Sequence, residues 1–290
     1  MIVVELQGGL GNQMFQYALG RHLAVLNNAK LHVDTHYLNA RRPRKNFTFR
    51  TLDLDIFNIE INVAPVPVSK KYGSHKSIFT KIINRCIQPK PLRLIAEKEF
   101  NFNPSVLSLS DNVYLTGYWQ SEYYFTGIEQ IIRKDFVLKL PLPEHIQNLR
   151  AEIETANAVC LHVRRGDFVN TTMHGTLGME YYSEAVRLIK EKILNPVFYI
   201  FSDDINWCKK NIVTQGTAVY VDDEFAAEKA RGHFSLMTAC KHFIIPNSSF
   251  GWWAAWLGSY NDKIVIAPKI WFHNSKWDTK DIVPKNWIKI

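Results

Sequence analysis

The stretch NAVCLHVRRGDF, residues 157–168, decides the fold of this chain. Its first half is an apolar run of strand length, which is typical of a strand buried on both faces of a parallel sheet. Two adjacent arginines follow directly, although arginine is rarely buried without an anionic partner. Three interpretations compete: a basic surface loop, an RGD adhesion tripeptide at 165–167, and a clamp for a phosphorylated ligand.

The same pattern continues through the second half of the chain. Apolar runs of strand length alternate with segments of helical spacing, which predicts a doubly wound parallel sheet. The predicted strands are 157–163, 197–202, 218–221, 242–246 and 263–267, and the predicted helices are 179–193, 205–212, 225–241 and 249–259. Because ligands bind beyond the carboxyl ends of such strands, we expect four polar segments at one edge of the sheet: HVRRGD, FSDD, VDDE and IPNSSF.

The first half begins in the same way, with a strand, a glycine-rich turn and a helix. These are predicted at IVVEL (2–6), GGLGN (8–12) and 13–26, followed by strands at 30–34 and 110–121 and a helix at 122–133. A proline-rich joint, LPLPEH (140–145), and a helix at 144–155 separate the halves. The predicted class is therefore α/β and GT-B-like, with two doubly wound, Rossmann-like domains facing across a cleft, a pattern that other two-domain α/β enzymes share. The predicted domains are 1–143 and 144–290.

The composition limits the partners and the location of the protein. The 290 residues carry a net charge of +8, which suits an anionic substrate or membrane surface. No nucleic acid is expected, because the sequence contains no zinc finger, RNA-binding aromatic signature or basic region with a zipper. The chain starts with MIVVEL instead of a leader and has no run of 18 apolar residues, so we expect a cytoplasmic protein. The four cysteines form no CxxC pair and are predicted to be free thiols: Cys86, Cys160, Cys208 and Cys240.

A basic, irregular section interrupts the first half. RRPRKNFTFR (41–50) carries five cations, and KSIFTKIINRCI (76–87) places its apolar residues on one helical face. Such a helix either docks on an anionic membrane or packs on the core as an ordinary surface helix. The second interpretation is favoured, so at most a peripheral membrane contact is expected, at the inner face.

The segment IPNSSFGWWAAWL (245–257) supplies a second anion-attracting element. Asn247 or Ser248 can cap a helix after the strand ends at Pro246, and a helix N-terminus presents N–H groups and partial positive charge. A well-capped core helix is the plainer interpretation of this segment alone. Because HVRRGD is expected at the same edge, the pair favours the phosphate clamp over the loop and adhesion interpretations.

Acidic pairs follow two other predicted strands. In FSDD (201–204), one carboxylate can accept hydrogen bonds from a base such as guanine while the other caps the helix INWCKKNI. Asp222 and Asp223 are expected to cap the helix from 225. The D-x-D of LDLDI (52–56) alternates with Leu and Ile in a strand-like segment, so a solvated face explains it better than a metal site. No metal and no cofactor are expected.

Five ordered motifs together resemble glycosyltransferase family 11, the α-1,2-fucosyltransferases, especially the bacterial, soluble members. The motifs are GGLGNQMFQYALGR (8–21), LTGYWQSEYYF (115–125), HVRRGDF (162–168), FSDDINWCK (201–209) and NSSFGWWAAWL (247–257). The resemblance implies a GT-B fold and inverting, metal-independent transfer of L-fucose from GDP-β-L-fucose to the 2-hydroxyl of a terminal galactose, forming an α-1,2 linkage. The acceptor would be an oligosaccharide or a surface-polysaccharide repeat, which the bacterial setting suggests is lipid-linked.

The resemblance also assigns roles to residues. Residues 144–290 would bind GDP-fucose, and 1–143 would face the acceptor, with a C-terminal segment able to pack back on them. Arg164 would contact the β-phosphate with Arg165 supporting it, and His162 with Asp203 or Asp204 would lie at the guanine end. The remaining donor-side residues would be Asn247, Ser248, Ser249 and Phe250, and those of the acceptor side would be Gly9, Gly11, Asn12, Gln13, Tyr118, Trp119 and Gln120.

Three points stay open at the level of sequence. Asp167 is the nearest candidate for a general base and Glu180 a more distant one, and proton loss through water is the alternative to both. Gly251 departs from the family pattern, which often has serine there. Rival functions are a fucosyltransferase of another linkage, a different GDP-sugar transferase, and a non-catalytic binding module that uses the tryptophan-rich segments.

Overall fold

The computed structural model describes residues 1–39, 49–65, 68, 72, 92–166, 175–272 and 277–290. The chain forms two compact units. The first comprises Met1–Lys139 with Lys280–Ile282, and the second comprises Leu140–Thr279 with Val283–Ile290. The basic segment 41–48 and the amphipathic segment 76–87, which includes Cys86, lie outside the described residues.

The first unit is built on a parallel sheet. Within the described ranges its strands are β1 (Ile2–Glu5), β2 (Leu31–Asp34), β3 (Arg93–Ala96) and β4 (Val113–Thr116), in the order β2-β1-β4-β3. Its helices are α1 (Leu10–Leu26), α2 (His36–Asn39) and α3 (Glu129–Asp135), with short 3₁₀ helices at Leu54–Ile56, Pro104–Ser108, Glu122–Tyr124 and Thr126–Ile128. Helix α1 packs on β1 and β2, so its largely buried surface covers the sheet.

The second unit contains a larger parallel sheet. Its described strands are β5 (Ala158–Val163), β6 (Val197–Ser202), β7 (Ala218–Tyr220), β8 (His242–Ile244), β9 (Val265–Ala267) and β10 (Ile288–Lys289), in the order β10-β9-β8-β5-β6-β7. Its helices are α4 (Glu144–Thr155), α5 (Met179–Lys192), α6 (Ile205–Asn211), α7 (Arg231–Ala239) and α8 (Ser249–Leu257), with 3₁₀ helices at Asp223–Phe225 and Glu228–Ala230.

Strand β5 lies in the middle of this sheet and is buried along its whole length. Val159, Leu161 and Val163 point into a core that α5 and α6 cover. The alternate residues face the other way, where Cys160 hydrogen-bonds Cys240 at the end of α7. Burial on both faces is the physical reason for the uninterrupted apolar run that the sequence shows here.

The predicted α/β class with parallel sheets in both halves is confirmed, and most predicted elements of the second half occur within two residues of their expected ends. The predicted helix over 225–241 is wrong. Ala227, Lys229 and Ala230 have positive φ angles of 53°, 52° and 57°, which breaks the helical hydrogen-bond ladder. The segment therefore forms two 3₁₀ turns, and α7 begins only at Arg231.

The first half departs more from prediction. Helix α1 begins at Leu10, so the glycine-rich turn is shorter than predicted, and the strand expected over 110–121 is limited to β4. The helix expected over 122–133 is divided into 3₁₀ turns and α3. LDLDI is not strand-like, because Leu54–Ile56 form a 3₁₀ turn that buries the two apolar side chains and exposes Asp55. Strands β3 and β10 were not predicted.

Two further observations bear on the sequence predictions. Cys160, Cys208 and Cys240 are buried free thiols, as expected. In the part of the chain that the structure describes, none of the helices combines the length and the apolar character needed to span a bilayer.

Candidate active site

All four predicted segments follow parallel strands and lie at the carboxyl edge of the second sheet, and three of them are close to the central strand β5. Strand β5 pairs with β6 on one side and with β8 on the other. The residues after these strands are therefore neighbours: Arg164 and Arg165 after β5, Asp203 and Asp204 after β6, and the segment 245–248 after β8. The predicted meeting of HVRR, FSDD and IPNSSF at one edge is confirmed.

Each of the two adjacent arginines has its own carboxylate partner. Arg164 Nη1 lies 3.0 Å from Asp203 Oδ2, and Arg165 Nε lies 3.4 Å from Asp204 Oδ2. The Arg165 guanidinium also stacks 3.9 Å above the ring of Trp207. These contacts hold the two guanidinium groups apart. Both pairs are partly exposed, so they orient side chains more than they stabilise the fold.

The acidic pair is built into the turn after β6. Asp203 Oδ1 accepts a hydrogen bond from the Arg165 backbone N–H at 2.9 Å, and Asp204 Oδ1 accepts one from the Trp207 N–H at 3.1 Å. Asp204 is thus the N-cap of α6, which confirms that one residue of the pair serves as the cap. A Cβ at Gly166 would lie 2.6 Å from Asp203 Oδ2, so glycine is needed beside this carboxylate.

The second acidic pair does not cap a helix as expected. Asp222 precedes the 3₁₀ turn Asp223–Phe225, but its side chain makes no capping hydrogen bond. Its Oδ1 instead pairs with Lys209 Nζ at 2.9 Å. This pair is exposed and lies after β7, one strand further from β5.

His162 links β5 to helix α8. Its ring meets the Phe250 ring at a centroid distance of 6.0 Å, and a Cβ at Gly251 would lie 2.5 Å from Nδ1. Nδ1 is buried and has no hydrogen-bond partner among the described residues. Burial, and then the charges of Arg164 and His233, lower the pKa of His162 to about 3, so the ring is neutral at pH 7. The departure to glycine at 251 therefore makes room for the imidazole.

Helix α8 directs its N-terminus to the same edge of the sheet. Ser248 is its N-cap in an extended conformation, and no hydrogen bond from its side chain caps the helix. Asn247 Nδ2 donates to the carbonyl of Trp271 at 3.1 Å, which anchors the turn. Ser249 and Phe250 form the first turn and are half-buried. The partial positive charge of this terminus and the Arg164 guanidinium are suited to binding an anion.

The tryptophans of GWWAAWL belong to the core. Trp252 and Trp253 are fully buried, and Trp252 packs against Trp256 and Trp287 at centroid distances of 6.3 and 5.4 Å. Because these side chains are buried, the structure does not support a binding module that presents them to a ligand.

In the first unit, the glycine-rich turn is held by side chains of α1. Gly8 has a φ of +78°, in the left-handed region that favours glycine. Gln13 Nε2 donates to the carbonyls of Gly8 and Thr51 at 3.0 and 2.8 Å, and its Oε1 accepts from the Asp53 N–H at 2.9 Å. Gln13 thus braces the turn. Gly9 is the N-cap of α1, and Gly11 and Asn12 lie in its first turn.

The segment 117–120 lies beside this turn and is held by a residue that the sequence did not single out. Glu97, just after β3, accepts hydrogen bonds from the backbone N–H groups of Tyr118 and Trp119 at 2.6 and 2.9 Å. Gln120 Nε2 donates to Asn12 Oδ1 at 2.8 Å. The position of Glu97 directly after a short apolar run was the available sequence signal for it.

The sequence offered two carboxylates as candidate general bases, Asp167 and Glu180. Asp167 lies outside the described residues. Glu180 is exposed in the first turn of α5. Within the described ranges, no three His, Cys, Asp or Glu side chains are grouped so that they could hold a metal ion.

Comparison with known proteins identifies the class and then the family. The fold is GT-B-like: it resembles the crystal structure of NodZ alpha-1,6-fucosyltransferase soaked with GDP-fucose, with a TM-score of 0.51 at 14% identity, over 88% of this chain and 91% of that one. The family model "Glycosyl transferase family 11" matches residues 1–290. The chain therefore belongs to glycosyl transferase family 11 and is a glycosyltransferase.

Two relatives cover nearly all of this chain. An alpha-1,2-colitosyltransferase of Escherichia coli is 34% identical over an alignment of 302 residues, gaps included, which covers 100% of this chain and 99% of the relative. Galactoside alpha-(1,2)-fucosyltransferase 2 of Hylobates lar is 26% identical over 277 residues, which include 92% of this chain and 71% of the relative. Both names specify transfer in an α-1,2 linkage.

Proposed function

We propose that the protein transfers L-fucose from GDP-β-L-fucose to the 2-hydroxyl of a terminal galactose, with inversion to an α-1,2 linkage. The observation that carries this proposal is that Arg164, directly after β5, and the N-terminus of α8, just after β8, follow two paired parallel strands at the same carboxyl edge. A guanidinium fork beside a helix N-terminus is suited to a diphosphate. The names of both relatives support the linkage.

In the proposed reaction, the acceptor hydroxyl attacks C1 of fucose while the bond from C1 to the β-phosphate oxygen breaks, and the hydroxyl proton passes to water or to a carboxylate base such as Asp167. The bonding electrons leave with GDP, so negative charge grows on the phosphate. Arg164 and the helix N-terminus stabilise that charge where it develops, which lowers the barrier to bond cleavage. Because two cationic elements serve the leaving group, we propose that no metal ion is required.

The carboxylates after β6 are best assigned to orienting the arginines. All four oxygens of Asp203 and Asp204 accept a hydrogen bond or pair with a cation. Asp203 engages Arg164, so it fixes the fork that would face the phosphate. Asp204 is occupied by α6 and by Arg165. A role for Asp203 in reading guanine would be additional to this one.

Colitose is the second candidate for the transferred sugar, because the relative that is 34% identical is named as a colitosyltransferase. The phosphate clamp does not discriminate between two sugars carried by the same nucleotide. Discrimination belongs to the groups around the sugar ring, so the donor must be determined by direct comparison of GDP-fucose with GDP-colitose.

The test is release of GDP from each donor, with and without lactose, in buffer that contains EDTA. Release from GDP-fucose that lactose stimulates, with an α-1,2 product by NMR, would establish the proposed reaction and its independence of metal. Preference for GDP-colitose would replace the donor. Stimulation by a lipid-linked, galactose-terminated repeat but not by lactose would identify a lipid-linked acceptor and place the enzyme at the inner membrane face. Absence of GDP binding would refute the clamp.

A further inference from the structure

Two adjacent tyrosines in the first turn of helix α5 reach the carboxyl edge of the second sheet. The rings of Tyr181 and Tyr182 meet edge to face at a centroid distance of 5.2 Å. Both pack in the core that α5 and α6 form with the sheet, a core that also contains Val163 at the end of β5. Because successive helix residues point about 100° apart, the two hydroxyls reach different strands.

The hydroxyl of Tyr182 holds the backbone of Arg164. Its oxygen accepts a hydrogen bond from the Arg164 N–H. The β5–β8 ladder ends at Leu161 and the β5–β6 ladder at Val163, so this N–H lies one residue beyond the last paired position. Backbone N–H groups in protein interiors are almost always paired, and here a side chain of α5 supplies the partner. The bond fixes the point from which the Arg164 side chain leaves the sheet.

The hydroxyl of Tyr181 holds the segment that leads into α8. It donates to the Ile245 carbonyl at 2.5 Å and lies 3.2 Å from the Ile266 carbonyl. Ile245 directly follows β8, and its own N–H donates to the Ile266 carbonyl at 3.0 Å. Two residues separate Ile245 from Ser248, the N-cap of α8. Fixing Ile245 therefore fixes the position at which α8 begins.

Both phenols are neutral near pH 7 and keep their protons for hydrogen bonding. Burial is the largest cause that raises the pKa of each above the ordinary value of tyrosine. The charge of Asp203 also raises the pKa of Tyr182, and the charge of Arg165 lowers it. The Tyr182 hydroxyl thus lies close to the arginine–carboxylate pairs of the candidate site.

We propose that Tyr181 and Tyr182 are positioning residues for the transfer reaction, each bracing one of the two cationic elements that would bind the diphosphate. Tyr182 acts through Arg164, and Tyr181 acts through the N-terminus of α8. Neither residue touches the substrate in this role. Stabilisation of the leaving-group charge depends on donors that are held in place before the reaction, so a shift of either element lowers the rate. This inference rests on the proposed function, because the phosphate site is part of it.

The experiment removes one hydroxyl at a time from the whole protein. Tyr181→Phe and Tyr182→Phe keep the rings and lose the hydrogen bonds described above. Tyr220→Phe is the matched control, since the Tyr220 hydroxyl also bonds a backbone carbonyl of the second unit, that of Ile212 at 3.3 Å. In the first two variants we expect GDP affinity by calorimetry to fall about five-fold and kcat with GDP-fucose and lactose to fall about ten-fold. The control should stay within about two-fold of wild type in both quantities.

Coupling to Arg164 separates positioning from a purely structural role. In an Arg164→Ala background, Tyr182→Phe should lower GDP affinity by no more than about two-fold, because the side chain that it positions is gone. Tyr181→Phe should keep its full effect in that background, since it acts through α8. A purely structural role would lower stability towards urea but leave the GDP affinity of the folded variants unchanged, which would overturn the proposal.

A second measurement applies even where a phenylalanine variant does not fold. Fluorotyrosine is incorporated singly in place of Tyr181, Tyr182 or Tyr220 and followed by fluorine NMR while GDP is added. The resonances of the first two should shift on binding, and that of the third should not. Resonances of the first two that stay unchanged at saturating GDP would overturn the inference, even if fucose transfer is observed.

The same samples distinguish this inference from the proposed function. GDP affinity that depends on both tyrosines, without transfer of fucose, would support the positioning roles and refute the donor sugar. Wild-type protein that binds no GDP would refute the phosphate clamp and, with it, the roles of Tyr181 and Tyr182.

Discussion

The Arg164 guanidinium is held 3.0 Å from the Asp203 carboxylate, across the turn between two neighbouring strands of the second unit. Both side chains are one-quarter exposed. An ion pair so placed contributes little to folding, because solvent screens it. Its consequence is geometric, since it fixes the position of one guanidinium of the proposed phosphate site at the centre of the sheet edge.

Replacing Arg164 by alanine should leave a folded protein with very low transferase activity. Losing one group that stabilises leaving-group charge costs about 2.7–4 kcal/mol, which corresponds to about 10²–10³ in kcat. Steady-state kinetics with GDP-fucose and lactose would measure this, with circular dichroism as the folding control. Turnover within a few-fold of wild type would refute the role assigned to Arg164.

Replacing Asp203 by alanine should lower kcat by about ten-fold, because Arg164 loses its orienting partner while its charge remains. The two residues act as one unit, so the double variant should be no slower than Arg164→Ala alone. A double-mutant cycle on kcat measures this coupling. Fully additive effects would show that Asp203 acts separately from Arg164.

Adding a side chain at Gly251 should destabilise the second unit. A Cβ there would lie 2.5 Å from His162 Nδ1, and the ring cannot retreat easily because it is buried at the end of β5. Gly251→Ala should cost about 1–3 kcal/mol in urea unfolding. Combining it with His162→Ala should remove most of this extra cost. Gly216→Ala, where a Cβ would meet nothing closer than 3.9 Å, is the matched control.

Lys263 should stabilise the carboxyl end of α8. Its Nζ donates to the carbonyls of Ala255, Trp256 and Gly258 at 2.8, 3.0 and 2.7 Å. A cation at a helix C-terminus satisfies carbonyls that have no partner within the helix and complements the helix dipole. Lys263→Met should therefore lower the free energy of unfolding by about 1–3 kcal/mol. The same change at exposed Lys269 should have almost no effect in the same urea titration.

Glu97 should make stability depend on pH with a defined sign. Its pKa is about 7 in the folded protein and 4.5 for an ordinary, solvated glutamate, so unfolding releases a proton between these two pH values. The stability contributed by this group is complete below pH 4.5 and is lost as the pH rises through 7. The free energy of unfolding of wild type should therefore fall between pH 4.5 and pH 8, while that of Glu97→Gln should not. The variant should gain about 1–3 kcal/mol relative to wild type over this range.

Urea unfolding of wild type and Glu97→Gln at both pH values would measure this linkage. Glu99→Gln is the control, because that side chain is exposed. A difference between wild type and Glu97→Gln that stays constant with pH would show that Glu97 is not the group that titrates.

The secondary structure of the second unit was predicted more accurately from the sequence than that of the first. In the second unit, β5, β6 and α4 occur almost where they were predicted, because strands buried on both faces are continuous apolar runs and helices have a regular period. In the first unit, β3 was missed, since its apolar run is too short to be distinguished from a loop and the strand is largely exposed. The helix predicted over 225–241 was wrong because hydrophobic periodicity does not reveal that three residues there have left-handed backbone angles.

The sequence by itself determined the alternation of strands and helices, the parallel sheets, and the family, because these follow from local periodicity and ordered motifs. Only the tertiary structure decided which charges meet. It joined Arg164 to Asp203, placed the His162 ring against Gly251, and brought Glu97 to the backbone of Trp119. These contacts join residues that are 22 or more positions apart in the chain. They depend on strand order and on turn geometry, which no local pattern encodes.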